Sequence, residues 1–373
     1  MEILSLFDGM GCGQIALEKA GITVDKYYSS EVDPHCIKVT QSNYPKTIQL
    51  GDVRKIDING LSNIDLLIGG SPCQGFSIAG RKLNFDDMRS ALFFDYVKIL
   101  EKLNPKYFLL ENVRMSDDIA DAIDSEMGVK RIFINSKDFT GHIRKRYYWT
   151  NIPINAWVEK DIPISEIIDK SVPYDRDLNF LLDRTEYKPS VSSDGIITIN
   201  PRDKNGKQTW QRGRVYDITG NCPTICATLF DLNITQDHKH YRKLTINECE
   251  KLQGVPIDYT NSAPYVERGK MLGNGWTVDV ISHIFSNIEV RRKVMKNCEI
   301  CLNIKSALCY SCTDKNKFIL RNSAKKECLE CGCRDGNGES KEGGRTHEIT
   351  CIYKKSFEAQ RAKPKSEIIC QPY

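Results

Sequence analysis

The sequence predicts an α/β protein, a parallel sheet covered on both faces, followed by an irregular segment and a cysteine-rich tail. Three observations carry that prediction. Short β-rich runs alternate with helical stretches over residues 1–150, periodicity yields to turn residues over 151–240, and nine of the 15 cysteines fall after residue 290. Strands are expected at 2–7, 25–30, 47–50, 64–68, 107–110, 131–134 and 146–150. Between the first two, residues 14–20 form a helix stopped by Gly21. Residues 90–103 carry Leu92, Tyr96, Ile99, Leu100 and Leu103 at helical spacing and end before Pro105, which marks a core-facing helix.

From 151 to 240 the turn-rich runs 190–195 and 201–206 indicate an inserted domain of loops and short strands. Order returns at 245–252, a helix opened by Thr245-Ile246-Asn247-Glu248, in which the Glu248 side chain can satisfy the Thr245 amide. Residues 277–288 close the body. The expected organisation is therefore 1–150 and 241–290 as one domain, 151–240 as a domain inserted into it, and 295–373 as a separate tail.

Charge and cysteine divide at the same place. Residues 1–290 hold 35 basic and 39 acidic side chains, against 18 and 10 in 291–373, so attraction to a polyanion must come from local patches or from the tail. No apolar run approaches the roughly 18 residues that span a bilayer, and the opening residues are too short and acidic for a signal peptide, so the expected location is the cytoplasm, with no membrane partner. In that compartment clustered cysteines point to metal and scattered ones to small buried hydrophobes. Cys298, Cys301, Cys309 and Cys312 form two knuckle pairs suited to tetrahedral Zn2+, and Cys328, Cys331, Cys333, His347 and Cys351 supply five candidates for a second site.

Several motifs sit where an open α/β sheet does its chemistry. Phe7-Asp8-Gly9-Met10-Gly11-Cys12-Gly13 joins the first strand to the first helix, and its glycines let backbone approach a ligand at a helix N-terminus. Glu31 and Asp52 follow the second and third strands, where carboxylates can hold ribose hydroxyls and an adenine amine or merely cap the next helix. Gly69-Gly70-Ser71-Pro72-Cys73-Gln74-Gly75-Phe76-Ser77 follows the fourth strand and places a thiol in the crevice. Glu111-Asn112-Val113 ends the neighbouring fifth strand, so a nucleophile and an acid face one substrate.

These motifs, with Gly51-Asp52-Val53, Arg144-Lys145-Arg146, the stretch 242–256 and Gly273-Asn274-Gly275-Trp276, occur in the order found in the cytosine-5 DNA methyltransferases, which the chain resembles over residues 1–290. The wording is especially similar to animal de novo enzymes and small phage or bacterial relatives. The resemblance implies a Rossmann-like mixed sheet with a small irregular recognition domain, S-adenosylmethionine as cofactor and double-stranded DNA as partner. It implies Cys73 as the nucleophile that adds to carbon 6 of an extruded cytosine, Glu111 on the base's N3 edge, Arg144 on its carbonyl oxygen and Arg146 in support. His142 stands where the family usually has Gln. For the cofactor it implies Phe7, Asp8, Gly9, Met10, Gly11, Cys12, Glu31, Val32, Asp52, Val53, Pro72, Leu92, Asn274 and Trp276, the last replacing a smaller residue of many relatives.

An extruded base requires something to fill its place. Gln74, Ser77, Arg81, Lys82 and Arg89 are the expected DNA contacts of the catalytic loop, and Lys207, Gln211, Arg212 and Arg214 those of the recognition segment. The same resemblance leaves a cognate restriction endonuclease, association with the nucleoid and a monomeric state as expectations. Transfer RNA as the methylated polymer, or a non-catalytic zinc-containing DNA-binding protein, are the competing readings.

Overall fold

The structure is a computed structural model and describes residues 1–61, 63–72, 88–178, 189–201, 207 and 209–289. All seven expected runs form strands: β1 (Glu2–Leu6), β2 (Lys26–Ser30), β3 (Ile48–Gln49), β4 (Leu66–Gly69), β5 (Tyr107–Val113), β6 (Ile132–Asn135) and β7 (Lys145–Thr150). They assemble in the order β3-β2-β1-β4-β5-β7-β6. The first five run parallel, but β7 is antiparallel to both β5 and β6, so the sheet is mixed where local pattern predicts a parallel one. Only residues 136–144 join β6 to β7. A parallel crossover needs about a dozen or more, so the pair closes antiparallel.

The sheet is buried on both faces, and each strand sends alternate residues to opposite cores. Ile3, Leu66, Ile68 and Leu109 pack with α1 (Cys12–Lys19) and α2 (Pro34–Asn43), whereas Leu4, Leu6, Leu67 and Leu110 pack with α3 (Met88–Leu103) and α4 (Asp117–Met127). The Tyr96 and Ile99 positions of the predicted stripe are buried in that second core. Two short helices, α5 (Lys137–Thr140) and α6 (Ile164–Ile167), precede the C-terminal set α7 (Ile246–Leu252), α8 (Tyr265–Asn274) and α9 (Val278–Phe285). The expected capping box forms at α7: the Glu248 amide donates to the Thr245 hydroxyl at 3.2 Å, and the Thr245 amide to Glu248 Oε2 at 2.7 Å.

The irregular segment forms a second sheet from β8 (Arg176–Asp177), β9 (Ser190–Val191), β10 (Ile197–Thr198), β11 (Val215–Asp217), β12 (Asn233–Thr235) and β13 (His240–Lys243), ordered β8-β13-β12-β11-β10-β9. It does not stand apart. Met1–Ile288 form one compact unit, and Tyr216, Ile225 and Ile234 share a buried cluster with Leu252 and Val280. β13 carries the segment past the expected boundary at 240, and Arg242 on it donates to both oxygens of Glu248 at 2.9 and 2.7 Å. With Arg242 2% and Glu248 1% exposed, this is a fully desolvated pair joining the insert to α7.

Cys12, Cys36, Cys222 and Cys249 are buried free thiols, as expected of scattered cysteines. Among the described residues no group of three or more His, Cys, Asp and Glu side chains could hold a metal, and no helix is long and apolar enough to cross a membrane. The cysteine candidates of the tail lie outside the described residues.

Candidate active site

The carboxyl end of β1 turns sharply. Phe7 has φ 57°, a left-handed conformation unusual for a bulky residue, and Gly9 and Gly11 follow at 58° and 81°, with Gly11 capping α1. The turn is held from β2. Glu31 Oε2 accepts the Gly9 amide at 2.8 Å, while Oε1 accepts the amides of Val32 and Asp33 at 2.7 and 2.8 Å. Asp8 points inward and accepts hydroxyl donors from Tyr27 at 2.7 Å and Ser29 at 2.9 Å. Burial lifts its carboxyl to about 6, against the pull of those hydroxyls.

Parallel pairing of β4 with β5 sets Gly69 against Leu110, so the chain leaving β4 runs beside Glu111. The approach is so close that a Cβ on Gly70 would lie 2.8 Å from Trp276 Nε1 and 3.1 Å from Glu111 Oε2. Buried Asn112 ties this stretch down, its amide donating to the Ser71 carbonyl at 3.2 Å and hydroxyl at 3.1 Å. The Glu111 carboxylate is gripped from both sides: Arg146 Nε lies 2.8 Å from Oε1, and Trp276 Nε1 donates to Oε2 at 3.1 Å.

The two arginines have different partners. Arg144, 3% exposed, donates to the carbonyls of Gly273, Asn274 and Gly275 at 3.1, 3.3 and 2.8 Å, so its terminal nitrogens are spent on the C-terminal end of α8. Burial, then the neighbouring Arg146, lower its pKa to about 10, which still leaves it charged at neutral pH. Arg146, not Arg144, is the guanidinium beside Glu111. His142 is fully buried, accepts the Ile225 amide on Nε2 at 3.0 Å, and is held neutral by burial, its pKa falling well below the usual histidine value.

The β1–α1 turn, the 70–72 stretch, Glu111 and both arginines line a cavity of about 450 Å³. Of the residues singled out from sequence, Phe7, Asp8, Gly9, Cys12, Glu31, Pro72, Glu111, Arg144, Arg146, Asn274 and Trp276 line it. Six others do not. Met10 is buried with its carbonyl accepting Tyr259 Oη at 2.7 Å, and Gly11 packs against Thr40 and Tyr259. Val32 is 68% exposed, Asp52 pairs with Arg54 at 2.5 Å, Val53 is core, and Leu92 packs against the core under α3.

Sequence reading missed Asp33, Cys36, Glu267, Lys270 and Met271 in the lining. Their signal was present: Glu267, Lys270 and Asn274 recur at one-face helical spacing, and Asp33 follows Glu31 by two. Cys73, Gln74, Ser77, Arg81 and Lys82 lie outside the described residues, as does the side chain of Arg89. Lys207, Gln211 and Arg212 are exposed and Arg214 half-buried. Beside them Trp210 is 88% exposed.

The cavity's chemistry suits a small, zwitterionic, cationic cofactor. Its lining carries five carboxylic acids (Asp8, Glu31, Asp33, Glu111, Glu267) against three bases (Arg144, Arg146, Lys270). The volume lies within the roughly 300–1,000 Å³ of small-ligand sites.

Comparison with known proteins agrees. The family described as C-5 cytosine-specific DNA methylase matches residues 1–118 and 144–290. Type II methyltransferase M.Bsp6I of Bacillus sp. (strain RFL6) is 28% identical over 315 residues, covering 77% of this chain and 98% of that protein. Orphan methyltransferase M.SPRI of Bacillus phage SPR is 41% identical over 116 residues, 31% of this chain, and the match spans only 26% of the phage protein. Among solved structures, Entamoeba histolytica methyltransferase EhMeth superposes with a TM-score of 0.59 at 16% identity, covering 77% of this chain and 97% of that one.

Proposed function

The chain belongs to the C-5 cytosine-specific DNA methylase family, and on that premise we propose that it methylates carbon 5 of cytosine in double-stranded DNA. One observation carries the reading: Glu111, Arg146 and the Gly70–Pro72 approach to Cys73 share one cavity with the Asp8, Glu31 and Asn274 side chains. In that cavity Phe7, Asp8, Glu31, Pro72 and Asn274 would hold S-adenosylmethionine, with the β1–α1 turn at its methionine end. When bound, the cofactor supplies an electrophilic methyl group.

The chain's own residues do the rest. Carbon 6 is hidden in the base stack, so the base must be extruded before Cys73 can reach it. The Cys73 thiolate adds to carbon 6, forming an S–C bond and making carbon 5 nucleophilic. Glu111 braces the N3 and amino edge while charge builds on the ring. The family resemblance assigns the base carbonyl to Arg144; we reassign it to Arg146, because Arg144 is occupied by three backbone carbonyls. After methylation carbon 5 gives up its proton to solvent, and the electron pair left behind restores the 5,6 double bond as the S–C bond breaks and the Cys73 thiolate leaves. Lys207, Gln211, Arg212 and Arg214 supply DNA contacts from the second sheet's side, and the paired cysteines of the tail hold zinc, testable by metal analysis of the purified chain.

Incubation with radiolabelled S-adenosylmethionine and either duplex DNA or total transfer RNA tests the assignment. Label in DNA as 5-methylcytosine is the expected result; label confined to RNA overturns it.

A further inference from the structure

We infer that Trp276 is a positioning residue that holds the Glu111 carboxylate in register for the base, an inference that rests on the cytosine-5 methyltransferase reading and refines it. The indole lies between two parts of the site. At one edge Nε1 donates to Glu111 Oε2 at 3.1 Å; at the other, Cζ3 comes within 3.8 Å of where a Cβ on Gly13, in the first turn of α1, would lie. It therefore reaches from the helix behind the cofactor turn to the acid that meets the base.

The peptide on both sides of the ring is pinned. The Gly275 carbonyl accepts Arg144 at 2.8 Å, and the Thr277 hydroxyl donates to Gln253 Oε1 at 2.9 Å while Gln253 Nε2 donates to the Leu272 carbonyl at 2.6 Å. Gly70 closes the remaining side, with no room for a Cβ against the indole nitrogen. A carboxylate held at one oxygen can rotate about its terminal bond. With Arg146 on Oε1 and Trp276 on Oε2, Glu111 presents one orientation, and its remaining lone pairs are available to a base N–H. The indole N–H thus acts through Glu111 on the chemical step and contributes little to holding the cofactor.

Two variants perturb the contact independently. Trp276→Phe removes the donor, and Gly70→Ala crowds both ends of the contact, the indole nitrogen and Glu111 Oε2, while leaving the indole in the chain. Each should lower kcat on duplex DNA by roughly tenfold or more with KM for S-adenosylmethionine changed by less than about threefold, the pattern of a lost transition-state contact. The rate of covalent capture by 5-fluorocytosine DNA should fall in parallel. In the Trp276→Phe background, Gly70→Ala should cost less than it does in the parent, because the indole nitrogen is no longer there to displace and only the Cβ contact with Glu111 Oε2 remains. Should Trp276→Phe not fold, Trp276→His, which keeps a ring N–H near Glu111 Oε2, decides: it should retain more of the parental kcat than Gly70→Ala. Unchanged kcat, or a rise in KM for the cofactor alone, overturns the inference and leaves an active parent enzyme standing. A parent that makes no 5-methylcytosine overturns the reading beneath it as well.

Discussion

Replacing Asp8 by Asn separates the cost of a buried charge from its use. Asp8 is 9% exposed, and burial raises its carboxyl from the ordinary 3.8 to about 6. The sign follows from linkage. The folded state binds the proton more tightly than the unfolded one, so the stability is fully present below about pH 3.8, declines as pH rises, and is lost by about pH 6. A shift of this size amounts to about 3 kcal/mol at neutral pH, of which about 1.4 kcal/mol falls between about pH 5 and pH 8. Asn keeps an acceptor for one of the two hydroxyls, and the other must reorient, a loss of about 1 kcal/mol. Asp8→Asn should therefore be more stable than the parent at pH 8 by about 1–2 kcal/mol, and the advantage should shrink by about 1.4 kcal/mol at pH 5. Urea unfolding at both values, followed by circular dichroism, measures this. A difference that is constant with pH, or grows toward pH 5, refutes the reasoning. Cofactor affinity should fall in the same variant, since Asp8 lines the cavity.

Other consequences are as direct. Glu248→Gln strands the buried Arg242 charge and should cost about 3–5 kcal/mol in urea unfolding, whereas replacing both partners by apolar residues of similar volume should recover much of it. His142→Gln restores the family's usual residue; because the imidazole Nε2 accepts the Ile225 amide, which a Gln oxygen can also do, methylation rates should stay within about threefold of the parent by single-turnover assay. Deleting residues 295–373 should weaken DNA binding and flatten its salt dependence in fluorescence titrations, because those residues carry 15 basic against 10 acidic side chains.

The strands and the α7 cap were readable because each is a local matter: an apolar run of the right length, or a Thr with a Glu three residues on. Sheet order was partly readable, since neighbouring β4 and β5 follow from the α/β pattern, but the antiparallel β7 follows from a loop length whose meaning depends on where β6 lies. The β1–α1 turn, the stretch after β4 and Glu111-Asn112 were legible as motifs. The wiring of the site was not. Trp276 meets Glu111 across 165 positions and Arg144 meets Gly275 across 131, separations at which no periodicity carries information. Arg144 and Arg146, two positions apart, likewise meet different distant partners, Arg144 the carbonyls of Gly273, Asn274 and Gly275 and Arg146 the Glu111 carboxylate.

The central claim concerns sulfur chemistry at position 73 opposite the Glu111 carboxylate. It is tested most directly by mixing the chain with duplex DNA containing 5-fluorocytosine and S-adenosylmethionine, then looking for a denaturant-resistant protein–DNA adduct by electrophoresis and mass spectrometry. The parent should form it with the DNA linked through Cys73, and Cys73→Ser should not. An adduct that persists in Cys73→Ser, or methylation that proceeds at the parental rate in that variant, would contradict the account.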